Sequence, residues 1–106
     1  MSIRAYIITR TEQGYDEKYR YTLVAQEREP LFNVWHHTEV FDLIRTYGFD
    51  GTNDDSVGEI EIDDEMWDEV KEEEDFSKFS NEEIKILQKI DSYFKEGNEY
   101  LTLLCY

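Results

Sequence analysis

Residues 59–75 read EIEIDDEMWDEVKEEED. Eleven of these seventeen residues are Asp or Glu, and Lys71 is the one base among them. Apolar residues still recur at Ile60, Ile62, Met66, Trp67 and Val70. A disordered acidic tract has little use for a Trp or for that spacing, so the stretch predicts a folded and strongly negative surface. Two periods meet in it. Residues 59–62 alternate, with Ile60 and Ile62 inward and Glu59 and Glu61 outward, as in a half-buried strand. From Asp63 the period lengthens to that of a helix. Asp63 is suited to the N-cap, and Asp64 and Glu65 fall in the first turn, where the helix dipole favours acids. At about 100° per residue, Met66, Trp67 and Val70 share one arc. Asp64, Glu65, Asp68, Glu69, Glu72 and Asp75 spread over the opposite side, with Glu73 between them in sequence.

Downstream, residues 75–79 read as a linker with Phe76 and Phe79 as packing anchors. Ser80-Asn81-Glu82-Glu83 is a capping box, Ser at the N-cap and Glu three residues on. Ile84, Leu87, Ile90 and Phe94 then form a helical stripe that Gly97 ends. Residues 100–106, YLTLLCY, are a strand with apolar groups on both faces, which predicts a central position in a sheet.

Upstream, residues 2–9 alternate as a strand, residues 11–18 are a polar loop turning at Gly14, and residues 19–26 are a second strand. Pro30 breaks the pattern, and residues 31–35 make a short third strand. Thr38 is expected to cap a helix running to about Tyr47, with Val40, Leu43, Ile44 and Tyr47 on one side and a left-handed Gly48 as its stop. Residues 49–58 are loop by composition. The expected architecture is one α+β domain over residues 1–106. It has an antiparallel-dominated sheet of four to five strands and about three helices, in the order β-β-(β)-α-β-α-α-β.

Composition narrows the function. The net charge is −15, from 26 acids against 11 bases, so direct binding to nucleic acid or to an anionic membrane is disfavoured by phosphate repulsion. The charge is uneven: residues 1–48 carry seven acids and six bases, residues 49–106 nineteen acids and five bases. That asymmetry points to an acidic interaction face. Cys105 is the single cysteine, so no internal disulfide forms, and its apolar strand predicts a buried, inert thiol. No apolar run approaches the roughly 18 residues that span a bilayer, and the apolar stretch within residues 1–10 is too short for a signal peptide. A cytoplasmic location is expected, the host cytoplasm if the chain is phage-encoded.

Local motifs for chemistry are sparse. His36 and His37 are adjacent, so they diverge on a helix or point to opposite faces of a strand; a site would need a carboxylate such as Glu39 or Asp42 brought beside them. Residues 50–61, DGTNDDSVGEIE, place Asp50, Thr52, Asp54 and Glu61 at EF-hand positions 1, 3, 5 and 12. Asp55 stands where the turn glycine belongs, and the strand alternation claims Glu61, so an acidic loop is the expectation. There is no phosphate-binding glycine loop, no His-Glu-x-x-His and no Cys-x-x-Cys. The chain is accordingly not expected to be an enzyme, and no catalytic residue, metal ligand or cofactor is assigned.

The acidic helix carries the functional expectation. Nine carboxylates over residues 63–75 space negative charge by about 2.2 Å, against about 1.7 Å along duplex DNA. Asp64, Glu65, Asp68, Glu69, Glu72, Glu73 and Asp75 are the candidate partner-binding residues. The expected partner is a basic protein, most concretely a nucleic-acid-binding host defence nuclease (CRISPR or restriction) inhibited by a nucleic-acid mimic of the phage type. The alternatives are an immunity protein that neutralises a cationic toxin, or a small metal-binding domain or enzyme built on His36 and His37.

Overall fold

The computed structural model describes residues 2–11 and 22–106. In chain order the elements are β1 (Arg4–Thr11), β2 (Thr22–Gln26), β3 (Phe32–Asn33), α1 (Thr38–Tyr47), β4 (Phe49–Asp50), β5 (Gly58–Asp63), α2 (Asp64–Glu73), a 3₁₀ turn (Phe76–Lys78), α3 (Asn81–Lys95) and β6 (Tyr100–Cys105). The strands pair antiparallel throughout, in the order β2-β1-β6-β5-β4, with β3 also paired to β1. The α+β class matches the sequence reading, and so does the element order apart from the added short strand β4. β6 is central, as its apolar composition implied.

One sheet face is apolar because alternate residues of the three long strands coincide in register. Ala5 lies opposite Cys105, Ile7 and Ile60 flank Leu103, and Ile62 lies opposite Leu101. These residues form a single cluster with Val40, Phe41, Leu43 and Ile44 of α1, Trp67 and Val70 of α2, and Ile86, Leu87 and Ile90 of α3. All three helices therefore cover the same face. Each fully buried aliphatic side chain contributes about 1.5–3 kcal/mol relative to exposure.

The outer edge of β1 is shared. β2 pairs with its C-terminal half and β3 with its N-terminal half, and the backbone N–H groups of Glu27 and Leu31 donate to the Ile7 and Ala5 carbonyls between them. Pro30, which has no N–H, sits in that gap. β1 runs two residues beyond the expected 2–9. The expected turn at Gly14 and the expected strand residues 19–21 lie outside the described residues.

Several local expectations are corrected. Thr38 is the first helical residue of α1, and His37 occupies the N-cap without a side-chain capping bond. Gly48 is extended rather than left-handed, with φ −95°. Glycine is needed there for space instead, since a Cβ would stand 2.7 Å from the Glu61 carbonyl oxygen and 2.9 Å from that of Ile44. That close approach lets Phe49 and Asp50 pair with Glu61 and Ile60, so part of the expected loop is a short edge strand and the sheet has six strands. Ile84 is only half-buried, while Ile86 and Glu83 are buried.

The Ser80 capping box forms as read. The Glu83 N–H donates to Ser80 Oγ at 3.2 Å, and the Ser80 N–H donates to Glu83 Oε1 at 3.1 Å. Gly97 follows α3 with φ 99°, the left-handed region that favours glycine. No described helix is long and apolar enough to cross a membrane.

Candidate functional site

The acidic surface is built on α2. Asp63 caps it, its Oδ1 accepting from the Met66 N–H at 2.7 Å. Trp67 and Val70 face the core, each 1% exposed, and Met66 is half-buried against it, so the acidic positions of the helix turn outward. Asp64, Glu65, Asp68, Glu69, Glu72 and Glu73 are all exposed. The helix is shorter than residues 63–75, because Glu74 is its C-cap. Asp75 is therefore not on the helical face. It caps the 3₁₀ turn, accepting from the Ser77 N–H at 3.0 Å and the Ser77 hydroxyl at 2.6 Å, and those bonds hold its carboxyl below the usual range.

Two tethers fix the orientation of α2. On one side the Trp67 indole N–H donates to Asp91 of α3 at 3.0 Å. Asp91 also receives Lys95 at 2.9 Å and Lys71 at 3.0 Å. The Lys95 ammonium first, then the indole and Lys71, hold the Asp91 carboxyl far below its ordinary value. Lys71, the one base of the acidic stretch, is thus engaged by α3 as well as by Asp68 at 3.5 Å. On the other side the Tyr47 hydroxyl of α1 lies 2.8 Å from Glu73 and 2.9 Å from Glu74 and can donate to either. Hydrogen bonding to Glu73 is the main reason the Tyr47 phenol is held well above its usual pKa. Phe76 and Phe94 stack near Trp67, with ring centroids 5.8 Å and 6.1 Å away. The outward side of α2 is consequently a carboxylate row on a helix tied to both α1 and α3.

The histidines are placed apart from this row. His36 is exposed in the turn before α1. The His37 ring stands 3.9 Å from both Glu82 and Glu83 at the start of α3, rather than beside Glu39 or Asp42. Among the described residues no group of three His, Cys, Asp or Glu converges as metal ligands would. Asp50, first of the EF-hand-like positions, is bound to Arg45 at 2.8 Å and to the Thr52 N–H at 2.9 Å. Cys105 is fully buried, and burial pushes its thiol up to about 11, far from a reactive thiolate.

A second surface was not singled out by the sequence. The sheet face away from the helices carries Phe49, Glu59, Glu61, Tyr100, Thr102 and Leu104. Over it lies a cleft of about 820 Å³, which extends to Asn98 and Glu99 before β6. At the other end of the face Tyr6 and Tyr106 stack at 5.1 Å. The alternation in residues 59–62 and 100–106 already set these side chains opposite the core. Only the strand order brings them together.

No known family model matches the chain, nor does any curated protein or solved structure.

Proposed function

We infer that this chain is a binding protein that engages a basic partner through the outward side of α2. Its most concrete form is a nucleic-acid mimic of the phage type that occupies the nucleic-acid site of a host defence nuclease, CRISPR or restriction. The observation that carries the reading is the row Asp64, Glu65, Asp68, Glu69, Glu72 and Glu73, six exposed carboxylates on a ten-residue helix. At 1.5 Å per residue that is one negative charge per about 2.5 Å, close to the density of a duplex. The tethers to Asp91 and Tyr47 support it further, because a helix tied in place before binding loses little entropy on docking.

The test begins with the partner captured from the native host. Association is then measured against ionic strength for wild type and for the triple variant Asp68→Asn, Glu69→Gln, Glu72→Gln. Long-range attraction steers encounter and is screened by salt, so the variant should associate about three- to tenfold more slowly at low salt. The gap should close as salt is added. Competition by duplex DNA separates a mimic from a binder of a cationic toxin that has no nucleic-acid site. Equal rates at low salt would reduce the acidic row to a solvated face.

A further inference from the structure

The face of the sheet opposite the helices combines rings and acids in one register. Phe49 of β4 lies opposite Glu61 of β5, and Glu61 lies opposite Thr102 of β6. Tyr100 is two residues before Thr102, so it meets Glu61 on the cross-strand diagonal, about 7–8 Å away. Glu61 therefore shares this face with Phe49 on one neighbouring strand and Tyr100 on the other, and all three line the cleft. Both rings face solvent, Phe49 at 65% exposure and Tyr100 at 56%. The cleft above them takes in Glu99 as well. Asp50 at its edge is already paired with Arg45, whereas Glu61 and Glu99 make no ion pair with a described residue.

We propose that this cleft seats an arginine side chain of the basic partner. A guanidinium is the group that suits both components, since it stacks on an aromatic face and forks onto a carboxylate. A phosphate or an anionic headgroup is repelled by the same carboxylates, and a second copy of the chain brings the same net charge of −15. A lysine ammonium is compact and strongly hydrated, and gains less from a flat ring.

The cleft also adjoins the acidic helix. The Asp64 N–H donates to the Glu99 carbonyl at 3.0 Å, so α2 starts beside a residue that lines the cleft, while its acidic side points away from the open face and acts on the partner at a distance. The helix then steers the partner in, and the cleft selects the cation that stays. This extends the preceding reading, because it takes the partner to be basic.

Short arginine and lysine peptides of equal length and charge are the probes, titrated into the full chain and followed by NMR at several salt concentrations. Wild type should bind the arginine peptide about two- to fivefold tighter, with the signals of Phe49, Glu61, Glu99 and Tyr100 moving. Phe49→Ala combined with Glu61→Gln should abolish that preference; Tyr100→Ala, a second exposed position, should reduce it. The triple helix variant should weaken both peptides alike and leave the preference intact. Equal affinities on wild type, or a preference that survives in Phe49→Ala/Glu61→Gln, would overturn the proposal. So would shifts on this face that depend on protein concentration alone, which would make it a self-interface. If the preference holds while the helix variant binds both peptides as wild type does, the cleft stands and the reading of the acidic helix fails.

Discussion

The two faces of the sheet are made from alternate residues of the same strands, yet they follow different chemical rules. The covered face is apolar along β1, β5 and β6, with Ala5, Ile60, Ile62, Leu101, Leu103 and Cys105 at 0–1% exposure. The other face mixes Glu59, Glu61, Thr102 and Leu104 with the exposed rings of Phe49, Tyr100 and Tyr106, and on β1 it also holds Ile8, opposite Thr102 and only 2% exposed. Close packing leaves the covered face no room for variety, because every polar atom there would need a buried partner. The open face is under no such demand, since water satisfies its polar groups. The helix-covered core lies on the first face, whereas the exposed rings and acids of the second are held by little packing.

Adjacent residues of β6 test this division most directly. Leu103 is buried on the covered face and Leu104 is half-buried on the open one. Leu103→Ala should cost about 2–5 kcal/mol, the transfer of the lost methyl groups plus the cavity left behind. Leu104→Ala should cost under about 1.5 kcal/mol, because its methyl groups already touch water. Chemical denaturation of both variants checks the pair, and equal losses would mean that the open face is packed as a second core.

The next largest effect concerns how the helices are tied together on the covered side. Asp91 joins Trp67 and Lys71 of α2 to Lys95 of α3. Asp91→Asn should cost about 1–2 kcal/mol at neutral pH, discounted for the solvent that reaches both lysines. The folded pKa of Asp91 is depressed below its unfolded value, mainly by Lys95. Its contribution is therefore complete above the unfolded pKa of about 3.9 and is lost as pH falls through the folded value. Urea titrations from pH 7 to pH 3 should show the gap between wild type and variant beginning to narrow below about pH 4. A gap that ignores pH would mean that the carboxylate charge plays no part in the tie.

The smallest effect belongs to the open face. Phe49 is 65% exposed at the sheet edge, and Phe49→Ala should change stability by no more than about 0.5 kcal/mol. Thermal or chemical denaturation checks it. A larger loss would give Phe49 a structural role and would blur the contrast between the faces.

Much of this molecule is local and was legible in the sequence. The Ser80 capping box, the switch from strand to helix at Asp63, the inward Trp67 and Val70 and the outward Asp64, Glu65, Asp68, Glu69 and Glu72 rest on contacts within a few residues. Spacing along the chain encodes such contacts directly. The central place of β6 was readable from its apolar residues on both faces. Other features depend on partners far apart in sequence, which no local period specifies. Gly48 is extended because Glu61 passes close to it, and β4 exists because that approach allows pairing. His37 meets Glu82 and Glu83 across two helix starts, and Asp91 gathers Trp67, Lys71 and Lys95 from two helices. Asp75 leaves the acidic helix because Ser77 offers a tighter local turn. The row of Phe49, Glu61 and Thr102 exists only once β4, β5 and β6 lie side by side. The sequence determined which side of most elements is wet, since that follows from periodicity, though in α3 Glu83 and Ile86 are buried and Ile84 is not. Tertiary pairing alone decided which wet residues share a surface, since that follows from strand order.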